Sequence, residues 1–433
     1  MVNRGGLGRG LALAWALIVG GGCSLITDSF VTNEFSGDPY PIQVETDSGA
    51  VIVGVRQRGV NDRPAVLDVL SPVSIVDRGP SAEPKVTSSA LTLLGVDATG
   101  ALAQPRATFP DAEVITLHPC TDTQCNVGTE LAPRPFEAII GASALAGDAV
   151  RFRLADKQVF VLPDIAGDDV HRTAACDAVF PSPYRGGGTL VISGTELPFG
   201  GRRIALQTCL GAPEDPLDPA LTPVERGADA LLVMSTGIGV TILGESAYQR
   251  YANAHETALP LASLPPETVL LPSGPLAGRH AVIERIALAA SSGSSPRAPC
   301  RQVYAHHFMM TGDCTTGDDC PCETEGDTFC GVPAVVELHP PAGIDVLVVG
   351  DDDRTLQALR AELRPDQAEV DGILGTGAIG TVEIDVDYPN NRVLARCAID
   401  GCATRPAITE RRDRAPVGTC IGSPPAGPIV FAR

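Results

Sequence analysis

Two stretches of this chain, 167 residues apart, repeat one another, and the repeat restricts the fold more than any other feature of the sequence. Residues 66–76 read VLDVLSPVSIV, and residues 233–243 read VMSTGIGVTIL. In this alignment the final VSIV falls on VTIL, and Asp68 falls on Ser235. The duplication predicts two halves with one local structure, which carries a carboxylate in the first half and a hydroxyl in the second.

A second duplicated element follows later in each half. It reads EAIIG at residues 137–141 and DGILG at residues 371–375, and an alternating strand, a polar turn and a returning strand come next. The final glycine is followed 18 residues later by a valine in both halves, Val159 and Val393. This spacing is typical of a hairpin in which every second side chain is buried on one face.

The rest of the chain also favours short strands. Apolar runs such as residues 50–55, 189–192 and 203–206 are bounded by Gly, Pro and Asp, and the chain contains 46 Gly and 37 Pro. Signals for alternating βαβ units are absent, so the pattern predicts an all-β sandwich or barrel. Short helices are expected at residues 246–250 and 354–363.

In this order, the four elements resemble the pepsin-like aspartic proteases, or a bilobal relative of the retropepsins, over roughly residues 45–400. Each lobe of that family has a D-T-G loop and, later, a hydrophobic-hydrophobic-Gly element that supports the loop. The resemblance implies an all-β, bilobal, pepsin-like double β-barrel whose lobes are related by a pseudo-twofold axis. Residues 46–170 would form the first lobe and residues 171–433 the second, with a Cys-rich insertion at about 297–331.

The resemblance also indicates which residues the chemistry depends on. Two aspartates of the family share one proton and activate a water between them, because like charges in close proximity split their pKa values. Asp68 occupies the first of these positions as a vestigial catalytic residue, and Ser235 occupies the second. A serine does not ionise near neutral pH, so we expect little or no peptidase activity.

Each copy of the loop has lost a different part of the D-T-G motif. The second copy keeps the threonine hydroxyl and the glycine, as Thr236 and Gly237, but lacks the acid. The first copy keeps the acid, but Val69 lacks the hydroxyl, and Leu70 places a branched side chain where almost nothing is expected to fit. The loss of both geometry and acid predicts a pseudoenzyme.

A ligand could still bind between the lobes, and a second carboxylate could still complete the acid pair. The residues predicted to contact a ligand in the cleft are Ser71, Ser74, Thr236 and Gly237. Asp77 and Asp371 are the candidates for a replacement acid. Asp371 is expected beneath the loop in a structural role, and Asp77 at the end of the strand that leaves the loop.

The N-terminus resembles a bacterial lipoprotein signal, with an ordinary secretory signal as the alternative. Two arginines precede a short apolar run at residues 11–19, and three glycines lead to Cys23. We expect residues 1–22 to be removed, Cys23 to carry lipid, and residues 23–45 to form a polar tether. Ser24 after the cysteine favours the outer membrane over the inner one, so the predicted location is the cell envelope.

The cysteine count agrees with an oxidising compartment. The chain has 13 cysteines, and 12 remain once Cys23 is assigned to lipid. Their spacing predicts two local disulfides and one longer bridge, namely Cys120–Cys125, Cys397–Cys402 and Cys176–Cys209. The insertion has the spacing of no usual zinc site, so disulfides are favoured there too, among Cys314, Cys320, Cys322 and Cys330.

The net charge and the remaining motifs restrict which partners and cofactors are expected. The net charge is −20, and removal of Arg4 and Arg9 with the signal takes it to −22, which disfavours nucleic acid and anionic headgroups as partners. His306 and His307 are adjacent, and residues 351–353 are consecutive aspartates, but neither group has metal-site spacing. No metal or other cofactor is predicted.

Three functions are therefore open. The first is a membrane-anchored envelope lipoprotein with a degenerate aspartic-protease fold, which binds a peptide or protein in the inter-lobe cleft without cutting it. The second is an atypical aspartic endopeptidase of the cell envelope. The third is a purely structural envelope protein without a ligand.

Overall fold

A computed structural model describes residues 42–43, 49–57, 59–96, 99, 101–118, 120, 125–162, 178–181, 183–211, 227–289, 299–300, 303, 335–363, 369–397 and 400–405. Several predictions lie outside these residues, namely those for the signal, most of the tether, Cys23, Cys176, the His306–His307 pair and the four cysteines of the insertion. Ile42 and Gln43, at the end of the predicted tether, are described and pair as a strand with Val159 and Gln158.

The described residues are mostly in β-strands, as the all-β class predicts. The strands are β1 Ile42–Gln43, β2 Ile52–Gln57, β3 Arg63–Leu67, β4 Ser74–Asp77, β5 Lys85–Val96, β6 Leu102–Leu117, β7 Asn126–Thr129, β8 Ala132–Pro135, β9 Ala138–Ile140, β10 Ala149–Arg153, β11 Gln158–Leu162, β12 Ala178–Pro181, β13 Tyr184–Arg185, β14 Gly188–Ile192, β15 Thr195–Phe199, β16 Arg203–Leu210, β17 Ala228–Met234, β18 Thr241–Gly244, β19 Pro266–Leu271, β20 Gly274–Ile283, β21 Ile286–Ala289, β22 Val335–Leu338, β23 Ile344–Val349, β24 Gly372–Leu374, β25 Val382–Asp387, β26 Arg392–Cys397 and β27 Cys402–Arg405.

The helices are α1 Ala142–Leu145, α2 Glu245–Ala254, α3 Arg354–Leu363 and α4 Thr376–Ile379, with 3₁₀ turns at Leu154–Asp156 and Leu261–Ser263. Both predicted helices are confirmed, because residues 246–250 lie within α2 and residues 354–363 are α3. Among the described helices, none has the length and apolar character needed to cross a bilayer.

The strands form one closed barrel, two larger sheets and a separate hairpin. The barrel belongs to the first half, in the order β2-β3-β9-β4-β6-β5. The second half contributes most of a 13-stranded sheet, in the order β27-β22-β21-β16-β17-β24-β18-β23-β20-β19-β7-β8 with β13 beside β16. Since the described strands close a single barrel, the double barrel implied by the resemblance is not confirmed.

The two repeated sequences adopt the same strand arrangement. In each half the strand that enters the loop lies parallel to a short central strand, and the strand that leaves the loop lies antiparallel to it. The central residue pairs with equivalent positions in both halves: Ile139 of β9 with Val66 and Ile75, and Ile373 of β24 with Val233 and Ile242. The sequence alignment is therefore also an alignment of backbone registers.

The glycine that ends each central strand is required by close backbone approach. A Cβ on Gly141 would lie 2.2 Å from Val73 O, and one on Gly375 would lie 2.3 Å from Val240 O. Such distances are far inside van der Waals contact, so no other residue fits without a backbone shift. This explains why both duplicated elements end in glycine.

A six-stranded sheet joins the halves, in the order β1-β11-β10-β25-β26-β12. At its centre β10 runs antiparallel to β25, and Arg151 pairs with Asp385 in the middle of the register. These two side chains form a buried ion pair, with Nε to Oδ1 at 2.8 Å and Nη2 to Oδ2 at 2.9 Å. The turns that follow each strand are also equivalent, because Lys157 and Asn391 both have left-handed φ angles, of 53° and 52°.

Strands of the first half also extend the sheet of the second. In the register of β7 with β19, Thr129 lies opposite Val269 and Gly128 opposite Leu270. One cluster of buried apolar residues includes members from both halves, such as Leu67 and Leu232. The two halves are thus joined by two separate strand pairings and by a shared core.

Three disulfides lie in the described residues. Cys120–Cys125 and Cys397–Cys402 are confirmed. The predicted Cys176–Cys209 bridge is wrong, because Cys209 is bonded to Cys300. Cys209 of β16 lies opposite Asp229 of β17, whose carboxylate accepts a hydrogen bond from the Cys300 N–H at 2.8 Å and so holds this cysteine nearby.

Candidate functional site

The loops that carry Asp68 and Ser235 meet at the junction between the halves. Asp68 follows β3, and its N–H donates to Ile140 O at 3.0 Å. Ser235 follows β17, and its N–H donates to Leu374 O at 2.9 Å. Each loop is therefore held by the central strand of its own half, which is the supporting role predicted for the duplicated elements.

The Ser235 hydroxyl donates a hydrogen bond to Asp68 Oδ1 at 2.9 Å. The same oxygen accepts hydrogen bonds from the N–H groups of Leu70 at 3.0 Å, Thr236 at 3.1 Å and Gly237 at 3.1 Å. Asp68 is 5% exposed and Ser235 is fully buried. The two aligned positions are thus in direct contact, and one carboxylate oxygen accepts four hydrogen bonds.

These contacts determine which proton chemistry is available. Burial raises the pKa of Asp68, and the hydrogen bonds to Oδ1 oppose that rise. In the described part of the chain, no second carboxylate is bonded to Asp68 or shifts its pKa. A serine hydroxyl does not give up its proton in the range where carboxylates titrate, so this pair cannot hold a shared proton as two aspartates do.

Thr236 ties the two loops together through its hydroxyl. Its Oγ1 donates to Leu67 O at 2.7 Å and accepts from the Val69 N–H at 3.1 Å. Val69 occupies the equivalent position in the first loop and is fully buried. It has no hydroxyl, so it cannot form the equivalent hydrogen bond to the second loop. The link is therefore made from the second half alone.

Leu70 is accommodated, contrary to the prediction that almost nothing would fit at its position. Its side chain is 9% exposed and joins an apolar cluster of the second half that includes Val233, Ile238 and Ile242. Gly237 is the equivalent residue in the second loop, and a Cβ there would lie 2.7 Å from the Asp68 carboxyl carbon. The glycine requirement thus holds on one side of the junction only.

Two of the other predicted ligand contacts, Ser74 and Thr236, face the protein interior. Ser74 is fully buried, and its hydroxyl accepts a hydrogen bond from the Gly141 N–H at 3.1 Å, so it supports the loop from behind. Ser71 is partly buried and donates to Val73 O at 2.7 Å. Thr236 is fully buried as well. A ligand would have to displace protein groups to reach Ser74 or Thr236.

Neither candidate for a replacement acid is bonded to Asp68. Asp77, at the end of β4, accepts hydrogen bonds on Oδ1 from the Gly79 N–H at 2.6 Å and from His118 Nδ1 at 3.0 Å. Asp371 accepts from the Leu231 N–H at 2.9 Å and from Arg250 Nη2 at 2.5 Å. Both carboxylates are thus held by groups of their own half.

The acidic run at residues 351–353 stabilises local structure. Asp353 caps α3, because its Oδ1 accepts the Thr355 N–H at 2.8 Å. Asp351 accepts from Arg360 Nη2 at 3.2 Å and from the Ser246 N–H at 3.1 Å. A second group, Asp77 with Cys120 and Cys125, has its donor atoms within 4.8 Å of one another, but the two sulfurs are joined in a disulfide and are not thiolate ligands.

The sequence did not indicate the role of Arg203, which forms a hydrogen bond to the loop that carries Asp68. Its Nη1 donates to Leu70 O, and its guanidinium pairs with Glu362 of α3 through Nε–Oε1 and Nη2–Oε2 contacts of 2.7 Å each. Arg203 lies 133 residues from Leu70 and 159 from Glu362 in the chain. Leu70 belongs to the repeat, but Arg203 and Glu362 lie outside it, so no sequence signal marks this contact.

A cavity of about 380 Å³ lies on the outer side of the barrel, at the end of β4. Its apolar lining includes Ile75, Ile139 and Phe136, and residues 272–275 of the second half also line it. Its lining also includes the carboxylates of Asp77 and Glu137 and the Cys120–Cys125 disulfide. The cavity therefore lies between the halves and combines apolar walls with acidic groups.

The corresponding face of the second half is filled. Ile242 and Ile373, the equivalents of Ile75 and Ile139, pack against α3 residues such as Leu356 and Leu359. The first half has no described helix between β6 and β9, and instead the β7–β8 hairpin crosses to the other sheet. In the described residues, this loop architecture therefore borders a cavity in the first half and packs against α3 in the second.

Comparisons with known proteins give structural likeness without sequence likeness. No family model and no curated protein matches the chain. An aspartic proteinase from Irpex lacteus is 9% identical, with 83% of this chain and 97% of that chain covered and a TM-score of 0.34. Basic 7S globulin from soybean is 10% identical, with 82% and 93% covered and a TM-score of 0.38.

A third solved structure, of the protein called edgp, is 11% identical over 82% of this chain and 93% of that chain, with a TM-score of 0.37. All three likenesses have TM-scores below 0.5, and none of them indicates a function for this chain.

Proposed function

We propose that this chain is a non-catalytic member of the aspartic-protease-like proteins and that it binds a peptide or protein. The observation that carries this proposal is the 2.9 Å hydrogen bond from Ser235 Oγ to Asp68 Oδ1, in the place where two carboxylates would have to meet. General acid–base catalysis contributes roughly 10²–10⁴-fold per positioned group, and the second group is absent from this pair. The 5% exposure of Asp68 also keeps substrate and bulk water from its carboxylate.

The proposed ligand site is the cavity beside Ile75 and Ile139 rather than the loops themselves. Its size of about 380 Å³ suits one or two side chains of a peptide, and its walls are mostly apolar. Asp77 and Glu137 in the lining, together with the net charge of −20, favour a neutral or basic ligand over an acidic one.

We further propose that Cys23 carries a lipid that anchors the protein to the cell envelope, at the outer membrane. The support is the short apolar run followed by three glycines and a cysteine. Mass spectrometry of the purified envelope protein should find an acylated N-terminal Cys23. A Cys23→Ser variant should leave the membrane fraction, and retention of that variant in membranes would contradict the anchor.

The catalytic question is tested by incubating the purified protein with an unfolded protein substrate at acid pH. We expect no cleavage above that of an Asp68→Asn control. Cleavage that the Asp68→Asn change abolishes would instead establish an atypical aspartic endopeptidase. In that event a carboxylate outside the described residues would have to complete the pair.

The binding question is tested with an immobilised library of extended peptides. We expect retention of apolar peptides with a neutral or basic flank, and loss of retention in an Ile75→Asp variant, which places a charge in the cavity wall. Leu131→Asp is the matched control, because that side chain is 98% exposed at a hairpin tip. If no peptide is retained by the unmodified protein, the purely structural role is favoured.

A further inference from the structure

The β14–β15 hairpin stands apart from the two large sheets. Its strands pair only with one another among the described strands, with Leu190 opposite Leu197. Ser193 and Gly194 form its tight turn, with positive φ angles of 47° and 79° that are typical of a two-residue hairpin turn. An isolated two-stranded hairpin is marginally stable in water, so this one depends on what it packs against.

One face of the hairpin packs on the outside of the barrel. The inward residues alternate along both strands, and they are Leu190, Ile192, Leu197 and Phe199. They contact an apolar patch of the first half, which we call the barrel patch, formed by Val73, Ile75, Val86, Ile115 and Leu117. Leu197 is 3% exposed, whereas Val191 on the opposite face of the hairpin is 63% exposed.

Glycines lie at both ends of the hairpin. Residues 186–188 are three consecutive glycines, and residues 200–201 are two more. Gly186 and Gly187 have φ angles of 80° and 136°, which other residues rarely adopt, and a Cβ on Gly201 would lie 2.3 Å from Gly186 O. The two ends of the hairpin therefore meet at a narrow connection of glycines, whose backbone dihedral angles are less restricted than those of other residues.

The barrel patch is continuous with the candidate ligand site. Ile75 belongs to the patch and also lines the 380 Å³ cavity. Val73 follows Asp68 by five residues in the same loop. The hairpin thus covers apolar surface that would otherwise extend the cavity along the barrel.

We propose that the β14–β15 hairpin is a lid, hinged at its glycines, over a binding surface made of the barrel patch and the cavity. The ligand would be an extended segment of a partner protein with apolar side chains at alternate positions, which takes the place of the hairpin. The hairpin itself shows that such a strand fits, because Leu190 and Ile192 fill the patch from an extended backbone. This proposal rests on the proposed binding function and specifies its ligand class.

A charge beneath the lid should open it. Leu197→Asp buries a carboxylate against the barrel patch, whereas Val191→Asp places the same group in solvent and is the matched control. The probe is a labelled synthetic peptide that copies residues 188–199. We expect Leu197→Asp to bind it at least about tenfold more tightly than the unmodified protein, since more molecules have a vacant patch, and Val191→Asp to bind it like the unmodified protein.

Hydrogen exchange of backbone amides would show which strands become exposed when the hairpin opens. Amides of β4 and β6 near Ile75 and Ile115 should exchange faster in Leu197→Asp, while those of the six-stranded sheet keep their protection. Unchanged exchange and unchanged peptide binding would overturn the lid. If Leu197→Asp does not fold, Leu197→Ala with Pro198→Ala as control tests the same expectation with a smaller change.

The outcomes separate the lid from the binding function. If Leu197→Asp binds the copied peptide but no library peptide binds any variant, the lid stands and the binding function fails. If library peptides bind the unmodified protein and Leu197→Asp alters neither their affinity nor the exchange rates, the binding function stands and the lid fails.

Discussion

The hydroxyl of Ser235 gives Asp68 a hydrogen bond without giving it a partner in proton exchange. A second carboxylate at this distance would share a proton and split the two pKa values. A hydroxyl instead stabilises the Asp68 carboxylate as one donor among four. At the scale of single residues, this contact joins the two loops and gives Asp68 no second group that titrates with it.

The buried Asp68 should make stability depend on pH. Its pKa is raised by burial above the unfolded value of about 3.8, so the folded state holds the proton to higher pH than the unfolded state does. The contribution of Asp68 to stability should therefore fall as pH rises above that value. Asp68→Asn removes this titration. The free energy of unfolding of the variant, relative to that of the unmodified protein, should therefore rise with pH by up to about 1.4 kcal/mol per pH unit until the folded pKa is passed.

Denaturant unfolding at several pH values measures this difference. Asp62→Asn is the control with the opposite sign, because Arg56 lowers the pKa of that exposed carboxylate and its small contribution is lost as pH falls. A difference between Asp68→Asn and the unmodified protein that is constant with pH would contradict the expectation.

Leu70 should contribute to stability from the far side of the junction. Leu70→Ala empties a position in the cluster with Val233 and Ile242, which should cost about 2–5 kcal/mol in the free energy of unfolding. Leu131→Ala, at a 98% exposed position, should cost almost nothing. Equal effects of the two changes would show that Leu70 is not packed. Leu70→Gly, the change that a D-T-G sequence in this loop would need, should lose the same packing.

At the scale of elements, the duplicated glycines test whether the two halves are equivalent. Gly141→Ala and Gly375→Ala each drive a methyl group into a backbone carbonyl, so each should cost about 1–3 kcal/mol or more. Gly147→Ala has no heavy atom within 4 Å of its added methyl group and should be neutral. Chemical denaturation of the three variants compares them, and a neutral Gly375→Ala would contradict the equivalence.

Much of this local architecture was predictable from the sequence, for a physical reason. The role of Gly141 and Gly375 follows from the repeat, because two similar sequences make similar local bonds. The pairing of Asp68 with Ser235 was predicted from the family resemblance, which implies that the two loops meet. Local cysteine pairs were predictable because a loop of a few residues keeps them close in space.

Contacts that involve residues outside the two repeated stretches were not predictable. Arg203 reaches Leu70 and Glu362 through tertiary packing alone, and its own stretch of sequence reads as an ordinary strand. The bridge from Cys209 to Cys300 spans 91 residues, so spacing could not select Cys300 over Cys176. The second barrel was expected from the family likeness, but β7 and β8 extend the sheet of the second half, whose strands lie in an open order.

At the scale of the whole molecule, the Arg151–Asp385 pair joins the halves at the centre of the six-stranded sheet. The two residues are 3% and 0% exposed, so removal of one leaves a buried charge. Arg151→Met should cost about 3–5 kcal/mol, and the double change Arg151→Met with Asp385→Leu should recover most of that loss. A double-mutant cycle by urea unfolding measures both.

The exposed pair of Arg56 and Asp62 is the control for this cycle. With side-chain exposures of 48% and 35%, its loss in Arg56→Met should cost less than about 1 kcal/mol. If Arg151→Met were as mild as Arg56→Met, the central pair would not hold the halves together.

The exchange of strands between the halves also limits how the protein can be divided. A chain cut between residues 162 and 178 would leave β10 without β25 in one piece and β19 without β7 in the other. In either piece alone, the backbone N–H and C=O groups of the exposed strand edges have no partner strand. Each piece should therefore aggregate when it is produced separately. Produced together in one cell, the two pieces should assemble and purify as a single complex.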